Sequence, residues 1–324
     1  MKKIVKCVCM MAVVALAFTS CKKTETTQVL AFNNTTEQLV SDEGNFEKVY
    51  LDQNSKVHFE NGDKVMIFNI HSETGAGSAG VKYVVSGNGD QLTPDGILVD
   101  TGTYYAFYPG DNVNLASSQL SNENRAVFTL QPTQVCRIID GKPAIPENSL
   151  YMAAKDAIHI NLSETSFDFK NICGVLSCKF YSPSGKVVKS IAVTDRKFHL
   201  TGDVTMKIHE VDPGEMTTLF RNYSDSDAYL QQLLAYENRV GYSVANTGST
   251  VTLDCSQVAG GGVQLGQTKE EATRFFIVLR PLALLNGCDI VITFDDDDTY
   301  EIHSTRDNRI SPNVIRNMTA VNVD

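Results

Sequence analysis

The chain has 324 residues, a formal net charge of −10, and 42% hydrophobic residues. This length is sufficient for two domains of ordinary size, and the hydrophobic content is sufficient for packed cores. An acidic chain repels phosphate backbones and anionic lipid headgroups, so the composition argues against nucleic-acid binding and against electrostatic docking onto a membrane.

Residues 1–20 are organised like a secretory signal peptide. Lysines at positions 2, 3 and 6 precede an apolar run over residues 7–18, which is too short to span a bilayer. The small residues Thr19 and Ser20 lead directly into Cys21, an arrangement that resembles the cleavage box of bacterial lipoproteins. The resemblance implies cleavage before Cys21 and lipidation of its thiol with palmitate or a related acyl chain. Ordinary secretion is the alternative.

Cleavage before Cys21 would leave 304 residues with a formal charge of −13, because the leader carries three lysines and no acid. Five cysteines would remain beside the lipidated one, and no CxxC motif is present for redox or zinc chemistry. We interpret them as buried small hydrophobic residues, with one disulfide left open. They are Cys136, Cys173, Cys178, Cys255 and Cys288. Cys173 and Cys178, five apart on a predicted strand, should face opposite sides of a sheet.

Residues 21–48 are predicted to form a lipidated tether. The segment is mostly polar and rich in Thr, Asn, Gln and Glu, a composition typical of linkers. Its one apolar run, residues 29–32, is either an apolar patch in the tether that could associate with other surfaces or a first edge strand. In the second case the segment contains an N-terminal strand that could be exchanged.

Residues 49–162 have the pattern of a β-sandwich. Residues 65–70 are apolar except for Asn69, as in a strand covered on both faces, whereas Val81, Tyr83 and Val85 alternate with small or polar residues. Residues 97–99, 104–108 and 127–130 continue the pattern. Turn sequences recur roughly every ten residues, which favours a sandwich or barrel over βα units.

Residues 163–324 form a second predicted β-sandwich, with the boundary between positions 156 and 167. Strands are predicted over residues 187–193 and 275–279, and in a hairpin that pairs residues 290–294 with 300–302 across an acidic turn. In the first strand Ile172, Leu176, Cys178 and Phe180 are expected on one face, opposite Cys173, Ser177 and Lys179 on the other. Residues 225–239 break the β pattern. They predict a short helical insertion of one to three turns, capped by Asp225 or Ser226, with Tyr229, Leu230, Leu233 and Leu234 on one side.

Six stretches, in this order and spacing, resemble the fimbrillin (type V pilin-like, Mfa-like) lipoproteins of Bacteroidetes. They are VHFENGDKVMIF (57–68), YYAFYP (104–109), LQPTQ (130–134), LYMAA (150–154), FDFKNICGVL (167–176) and VIRNMTAV (314–321). The resemblance implies an all-β protein with two tandem transthyretin-like antiparallel β-sandwich domains. It also implies a lipid-anchored, surface-exposed location at the cell outer membrane and in a fimbrium (pilus).

Family members are tip, stalk or anchor subunits of surface fimbriae. In stalk members a protease removes an N-terminal strand, and the resulting groove accepts a strand from a neighbouring subunit, which satisfies the exposed backbone groups. Trimming after arginine has no candidate near the N-terminus here, because the first arginine is Arg125. Lys48 is an alternative cleavage site, and a tip or accessory role is an alternative to a stalk role.

Other motifs support no enzymatic chemistry. Residues 75–80 match G-x-G-x-x-G, but a predicted strand follows where a dinucleotide site needs a helix. The acidic run at residues 295–298 could collect calcium, yet it lacks the glycine and distant glutamate of an EF-hand loop. The six histidines are scattered without HExxH spacing, and no G-x-S-x-G motif occurs. An aromatic cluster at Tyr104, Tyr105, Phe107 and Tyr108 could stack on a sugar, although alternation favours core packing.

We therefore expect a non-enzymatic fimbrial structural or adhesive subunit that assembles by strand donation and mediates cell adhesion. Cys21 is the only predicted site residue, as the lipidation site, and no catalytic residue, cofactor or metal is expected. The expected partners are other fimbrial subunits and a membrane contacted through the lipid, without nucleic acid. A host or bacterial surface ligand is left open. The alternative function is a cell-surface lipoprotein that binds a glycan or other ligand without polymerising.

Overall fold

A computed structural model describes residues 30–31, 40–41, 59–70, 81–86, 91–94, 103–117, 124–156, 167, 169–207, 226–284, 287–305 and 308–324. Strands dominate these residues, and the described part contains one α-helix, α1 (Ser226–Arg239). No helix of the described residues has the length and apolar character needed to cross a membrane.

The strands are numbered in chain order. The first thirteen are β1 (Leu30–Ala31), β2 (Val40–Ser41), β3 (Lys64–Ile70), β4 (Val81–Ser86), β5 (Gln91–Pro94), β6 (Thr103–Tyr108), β7 (Val113–Ser117), β8 (Asn124–Leu130), β9 (Thr133–Val135), β10 (Arg137–Ile139), β11 (Lys142–Ala144), β12 (Met152–Asp156) and β13 (Lys170–Asn171). The others are β14 (Gly174–Tyr181), β15 (Val187–Asp195), β16 (Thr201–Lys207), β17 (Ser243–Gly248), β18 (Thr250–Asp254), β19 (Val263–Gln264), β20 (Thr273–Leu279), β21 (Leu282–Leu284), β22 (Cys288–Phe294), β23 (Thr299–His303), β24 (Asn308–Ile310), β25 (Val314–Asn317) and β26 (Val321–Asn322).

Four main sheets organise these strands. Sheet 1 has the order β1-β5-β4-β3-β6-β12-β13, and sheet 2 has the order β17-β16-β8-β7. Sheet 3 has the order β2-β25-β14-β20, with β26 also paired to β14. Sheet 4 has the order β23-β22-β15-β18-β9, with β19 also paired to β15. Two ribbons, β10-β11 and β21-β24, complete the described strands.

Sheet 1 is buried on both faces, as the mostly apolar sequence of β3 predicts. Met66 and Phe68 pack into a core that also contains side chains of sheet 2, sheet 3 and α1, which we call the first core. Val65 and Ile67 point the other way, into a separate cluster with Tyr83 and other residues of sheet 1. The period of two along an extended strand sends neighbouring side chains to opposite faces, so both faces of β3 need apolar residues.

The second core lies between sheets 3 and 4. The inward side chains of β15 and β22, such as Ile191 and Ile292, meet Phe180 and Phe275 of sheet 3. The predicted hairpin is formed by β22 and β23, and in its register Ile290 lies opposite Ile302. This pair of packed sheets confirms the β-sandwich architecture. The transthyretin-like topology of the sandwiches remains a prediction.

Strand β14 takes part in both cores. Val175 packs in the first core, whereas Leu176, Cys178 and Phe180 pack in the second. Cys173 lies in the first core, so the prediction that it faces away from Cys178 is confirmed. The placement of Ile172 with Leu176 was wrong: Ile172 packs in the first core, because β14 begins only at Gly174 and the period of two does not extend back to it.

Hydrogen-bonded pairings cross the predicted boundary between residues 49–162 and 163–324. Strand β8 pairs with β16, β9 pairs with β18, and β12 pairs with β13. Sheets 1, 2 and 4 therefore each contain strands from both stretches. The division into these two domains remains a prediction.

Helix α1 lies in the predicted position but is longer than predicted. Its 14 residues correspond to roughly four turns, instead of one to three. Tyr229, Leu233 and Tyr236 are buried in the first core, a spacing of three and four that keeps them on one face. The placement of Leu234 on that face was wrong, since its side chain is 44% exposed, whereas Leu233 is 3% exposed.

The contrast between these two neighbouring leucines gives a direct test of the helix orientation. We expect Leu233→Ala to lower the free energy of unfolding by about 2–4 kcal/mol, because it leaves a cavity in the first core. The matched change Leu234→Ala should cost no more than about 0.5 kcal/mol. Urea unfolding monitored by circular dichroism measures both values, and equal losses would contradict this orientation of α1.

Candidate functional site: the sheet edges at the chain ends

Two short strands from the predicted tether lie on the edges of two different sheets. Leu30 and Ala31 of β1 pair antiparallel with Leu92 and Gln91 of β5, at the edge of sheet 1. The edge-strand interpretation of residues 29–32 is thus confirmed for β1. Val40 and Ser41 of β2 pair parallel with β25, at the edge of sheet 3. Within the described part of the tether, each of these pairings comprises two residues.

The C-terminal segment, by contrast, follows β14 along its whole length. Strand β25 pairs parallel with β14 from Val175↔Ile315 onward, and β26 continues with Phe180↔Val321. Between the two strands, Met318 N donates to Ser177 O at 2.9 Å, and beyond them Val323 N donates to Tyr181 O at 3.1 Å. We call residues 313–324 the C-terminal strand segment.

Apolar side chains hold the C-terminal strand segment in both cores. Ile315 is fully buried in the first core, and Val323 is fully buried in the second. Met318 and Val321 pack at the border of the second core, and the sulfur of Cys178 lies 3.6 Å from that of Met318. Burial of apolar side chains of this size contributes roughly 1.5–3 kcal/mol each, so this segment is an integral part of the fold.

Polar side chains fix the two ends of the same segment. At its start, the buried Asn171 side chain donates from Nδ2 to Asn313 Oδ1 at 2.7 Å. Gly174 is required here, because a Cβ at this position would lie 2.4 Å from the Ser311 carbonyl oxygen. At its end, the Asp324 carboxylate accepts hydrogen bonds from the Ser182 hydroxyl and from Ser184 N, the latter at 2.8 Å. The bonds from Ser182 and Ser184 lower the pKa of Asp324.

The opposite edge of sheet 3 is closed by a side chain. Strand β20 is the last strand on that side, and the buried Gln134 lies beside it. Gln134 Nε2 donates to Val278 O at 2.7 Å, and Val278 N donates to Gln134 Oε1 at 2.9 Å. A carboxamide thus satisfies the two backbone groups that an added strand would otherwise bond. This role of the LQPTQ stretch was not apparent from the sequence.

Gln134 therefore offers a test of edge closure. We expect Gln134→Ala to lower the free energy of unfolding by about 1–3 kcal/mol, because Val278 would lose the partners of both backbone groups in a buried position. The exposed residue Gln264 provides the matched control, and Gln264→Ala should change stability by less than about 0.5 kcal/mol. Thermal unfolding of the two variants gives the comparison. An unchanged stability of the Gln134 variant would show that the edge is closed by other groups.

A largely buried ion pair connects helix α1 to the end of strand β20. Arg280 Nη1 donates to Glu237 Oε1 at 2.8 Å, and both side chains are largely buried. Burial raises the pKa of Glu237, and the neighbouring guanidinium opposes that shift. The pair joins the last turn of α1 to the residue after β20. It borders an apolar cavity of about 20 Å³, which has room for roughly one water molecule and not for a sugar.

The predicted aromatic cluster is in the interior. Tyr104, Tyr105, Phe107 and Tyr108 are all buried on β6, in alternation between the first core and the cluster on the other face of sheet 1. The core-packing interpretation is confirmed, and these rings are not available to stack on a glycan.

Some of the other motifs singled out in the sequence lie outside the described residues, and the acidic turn lies within them. Cys21, Lys48, residues 1–20 and the glycine-rich stretch 75–80 lie outside the described residues, although β4 does follow that stretch directly. In the acidic turn after β22, Asp297 bonds Lys189 Nζ at 2.8 Å. Within the described ranges no three His, Cys, Asp or Glu side chains are grouped so that they could hold a metal ion. His303 is exposed and contacts Asp289.

No protein-family model matches the chain, and no curated protein matches it in sequence. Its structure is similar to that of a candidate cell adhesion protein from Bacteroides uniformis, with 12% identity, 82% of this chain and 88% of the other covered, and a TM-score of 0.45. A fimbrial protein from Bacteroides ovatus matches with 12% identity and a TM-score of 0.32, and the match covers 92% of this chain and 50% of that protein. The tip fimbrial protein Mfa3 from Porphyromonas gingivalis, truncated at its C-terminus, matches with 9% identity, 75% and 76% coverage and a TM-score of 0.30.

These structural neighbours are a candidate cell adhesion protein and two fimbrial proteins. Since every one of these TM-scores is below 0.5, the similarity supports no further conclusion about this chain. Its function must be argued from its own residues.

Proposed function

We propose that the protein is a surface-anchored fimbrial subunit that assembles by β-strand donation and contributes to adhesion. The observation that carries this proposal is the unequal attachment of the two chain ends. The four described residues of the tether contribute two pairings of two residues each, at Leu30–Ala31 and Val40–Ser41. The C-terminal strand segment is held by a full ladder, by buried side chains and by polar contacts at both ends.

Displacement of the tether would leave two unsatisfied edges. At sheet 3 the outer side of β25 would present its backbone N–H and C=O groups beside the first core. At sheet 1 the outer side of β5 would do the same beside the buried Leu92. An extended segment from a neighbouring subunit could bond either edge, because main-chain hydrogen bonds supply affinity and alternate side chains supply register. Such contacts are heterologous and open, so they extend into filaments.

The proposed lipid anchor and the tether are connected along the chain. From a lipidated Cys21 to Leu30 at the start of β1, the chain spans nine peptide units, and these reach at most about 30 Å. Sheet 1 would then be held close to the outer membrane while the tether is intact. A single cut between residues 42 and 58 would both release the body from its anchor and free the two edges. Lys48 lies in that interval.

Controlled cleavage of the tether tests strand donation. A sequence-specific protease site in place of residues 42–48 allows both short strands to be removed from the exported chain in mild detergent. We expect the uncut protein to be monomeric and the cut protein to form oligomers that persist for hours in size-exclusion chromatography. An excess of a synthetic peptide of residues 28–48, added before cleavage, should keep the cut protein monomeric.

A second protease site, in place of residues 22–28, serves as the matched control. Cleavage there removes the anchor but leaves β1 and β2 on the body, so this protein should remain monomeric. If the protein cut at 42–48 keeps its circular dichroism spectrum and stays monomeric, assembly by strand donation is wrong.

Lipidation at Cys21 is tested separately. We expect Cys21→Ser to abolish incorporation of an alkyne-tagged palmitate and to move the protein from the membrane fraction to the soluble fraction. Cys288→Ser leaves the proposed acyl site intact and should label like the unchanged chain. Label retained in the Cys21 variant would contradict the lipid anchor without affecting the strand-donation proposal.

A further inference from the structure

Strands β9 and β18 run parallel and in register at the edge of sheet 4. Gln134 lies opposite Leu253, and Val135 lies opposite Asp254. The ladder continues one residue further, because Cys136 N donates to Asp254 O at 2.7 Å. The next pair in this register is Cys136 and Cys255.

Both cysteine side chains are buried in the second core, and the parallel register of β9 and β18 places them side by side. Neighbouring strands lie about 4.8 Å apart, which is inside the range of Cα separations that disulfides bridge. The two residues come from stretches that are far apart in sequence, so the local pattern of cysteines gives no indication of their proximity.

The other three cysteines do not lie opposite a cysteine in any strand pairing of the described residues. Cys173 packs in the first core. Cys178 on β14 is paired with Phe275, and Cys288 on β22 is paired with Asp195, so these two belong to different sheets of the second core. All five are buried and reduced in the structure.

We propose that Cys136 and Cys255 form an intramolecular disulfide when the protein meets a disulfide oxidant. A Cys136 thiolate attacks one sulfur of the oxidant and releases its other half as a thiol. The Cys255 thiolate then attacks the Cys136 sulfur of this mixed disulfide and releases the second thiol. In total the two cysteines lose two protons and two electrons, and the oxidant disulfide is reduced to two thiols.

Two features assign the attacking role to Cys136. Its side chain retains 6% exposure, whereas Cys255 is fully buried. The neighbouring Cys255 thiol lowers the pKa of Cys136, whereas the Cys136 thiol and burial raise the pKa of Cys255. The lower pKa increases the thiolate fraction on the sulfur that an oxidant reaches first.

The proposed disulfide would hold β9 in place at the edge of sheet 4. Strand β9 has three residues and is the last strand of sheet 4. Its central residue, Gln134, closes the neighbouring edge of β20. A covalent link from Cys136 to β18 would prevent β9 from detaching and would therefore keep Gln134 against Val278.

Peptide mapping of the full chain tests the proposal. The chain, purified without reductant, is incubated with oxidised glutathione, unfolded in iodoacetamide and digested with trypsin. Residues 126–137 and 240–269 form tryptic peptides with one cysteine each. We expect them to appear as one linked species, lighter by two hydrogens than their sum, that dithiothreitol separates. Three of the five buried cysteines should remain alkylated, and oxidation should raise the melting temperature by several degrees.

Cys288→Ala is the matched control, because it removes a thiol from the same core but leaves the pair. This variant should still give the linked species, whereas Cys136→Ala and Cys255→Ala should not. Equal alkylation of Cys136, Cys173 and Cys255 in the oxidised wild-type chain would overturn the proposal. A linkage of Cys136 or Cys255 to any other cysteine would overturn it as well.

Discussion

The structure depends on the hydrogen bonding of β14 to the strands on its two sides. β20 pairs along one side of it, and the C-terminal strand segment pairs along the other. Because Val175 of β14 enters the first core and Leu176, Cys178 and Phe180 enter the second, any shift of this strand would disturb both. Asn313 and Asp324 fix the C-terminal strand segment at its two ends, so the register of β14 is set by residues from the end of the chain.

A sheet with two edges must satisfy or protect the backbone groups that each edge presents. Sheet 3 does this in two different ways. At β20 a single buried carboxamide, that of Gln134, takes the place of a strand. At β25 the covering element is β2, a strand of two residues from a segment whose composition is that of a linker. Gln134 is a buried part of the fold and stays at the edge of β20, whereas β2 could be replaced at the edge of β25 by another strand. This asymmetry is the physical basis of the proposed assembly.

The local sequence pattern was sufficient to predict where the strands lie, but it did not predict which strands pair with each other. The apolar run in β3, the alternation in β4 and the hairpin of β22 and β23 are all predicted from the period of two. The pairings of β8 with β16 and of β9 with β18 join distant segments, and no local period specifies them. The roles of Gln134 and of the Cys136–Cys255 pair depend on those pairings, so they became apparent only in three dimensions.

The sequence pattern also did not define which face of helix α1 is buried. Apolar residues at positions 229, 230, 233 and 234 indicate an amphipathic face, but they do not define its centre. Tyr236 lies on the buried face and Leu234 does not, because α1 is held over the first core by the ribbon of β21 and β24, where the Tyr229 hydroxyl donates to Ile310 O at 2.6 Å.

Hydrogen exchange of the intact chain, followed by mass spectrometry, tests the unequal attachment of the two chain ends most directly. Pairings of two residues at an edge can open locally without unfolding the sheet, whereas the C-terminal strand segment can open only with both cores. We therefore expect amides in β1 and β2 to exchange orders of magnitude faster than those of β14, β25 and β26. Equal protection of β2 and β14 would contradict this account, because the tether would then be as firmly held as the strands it covers.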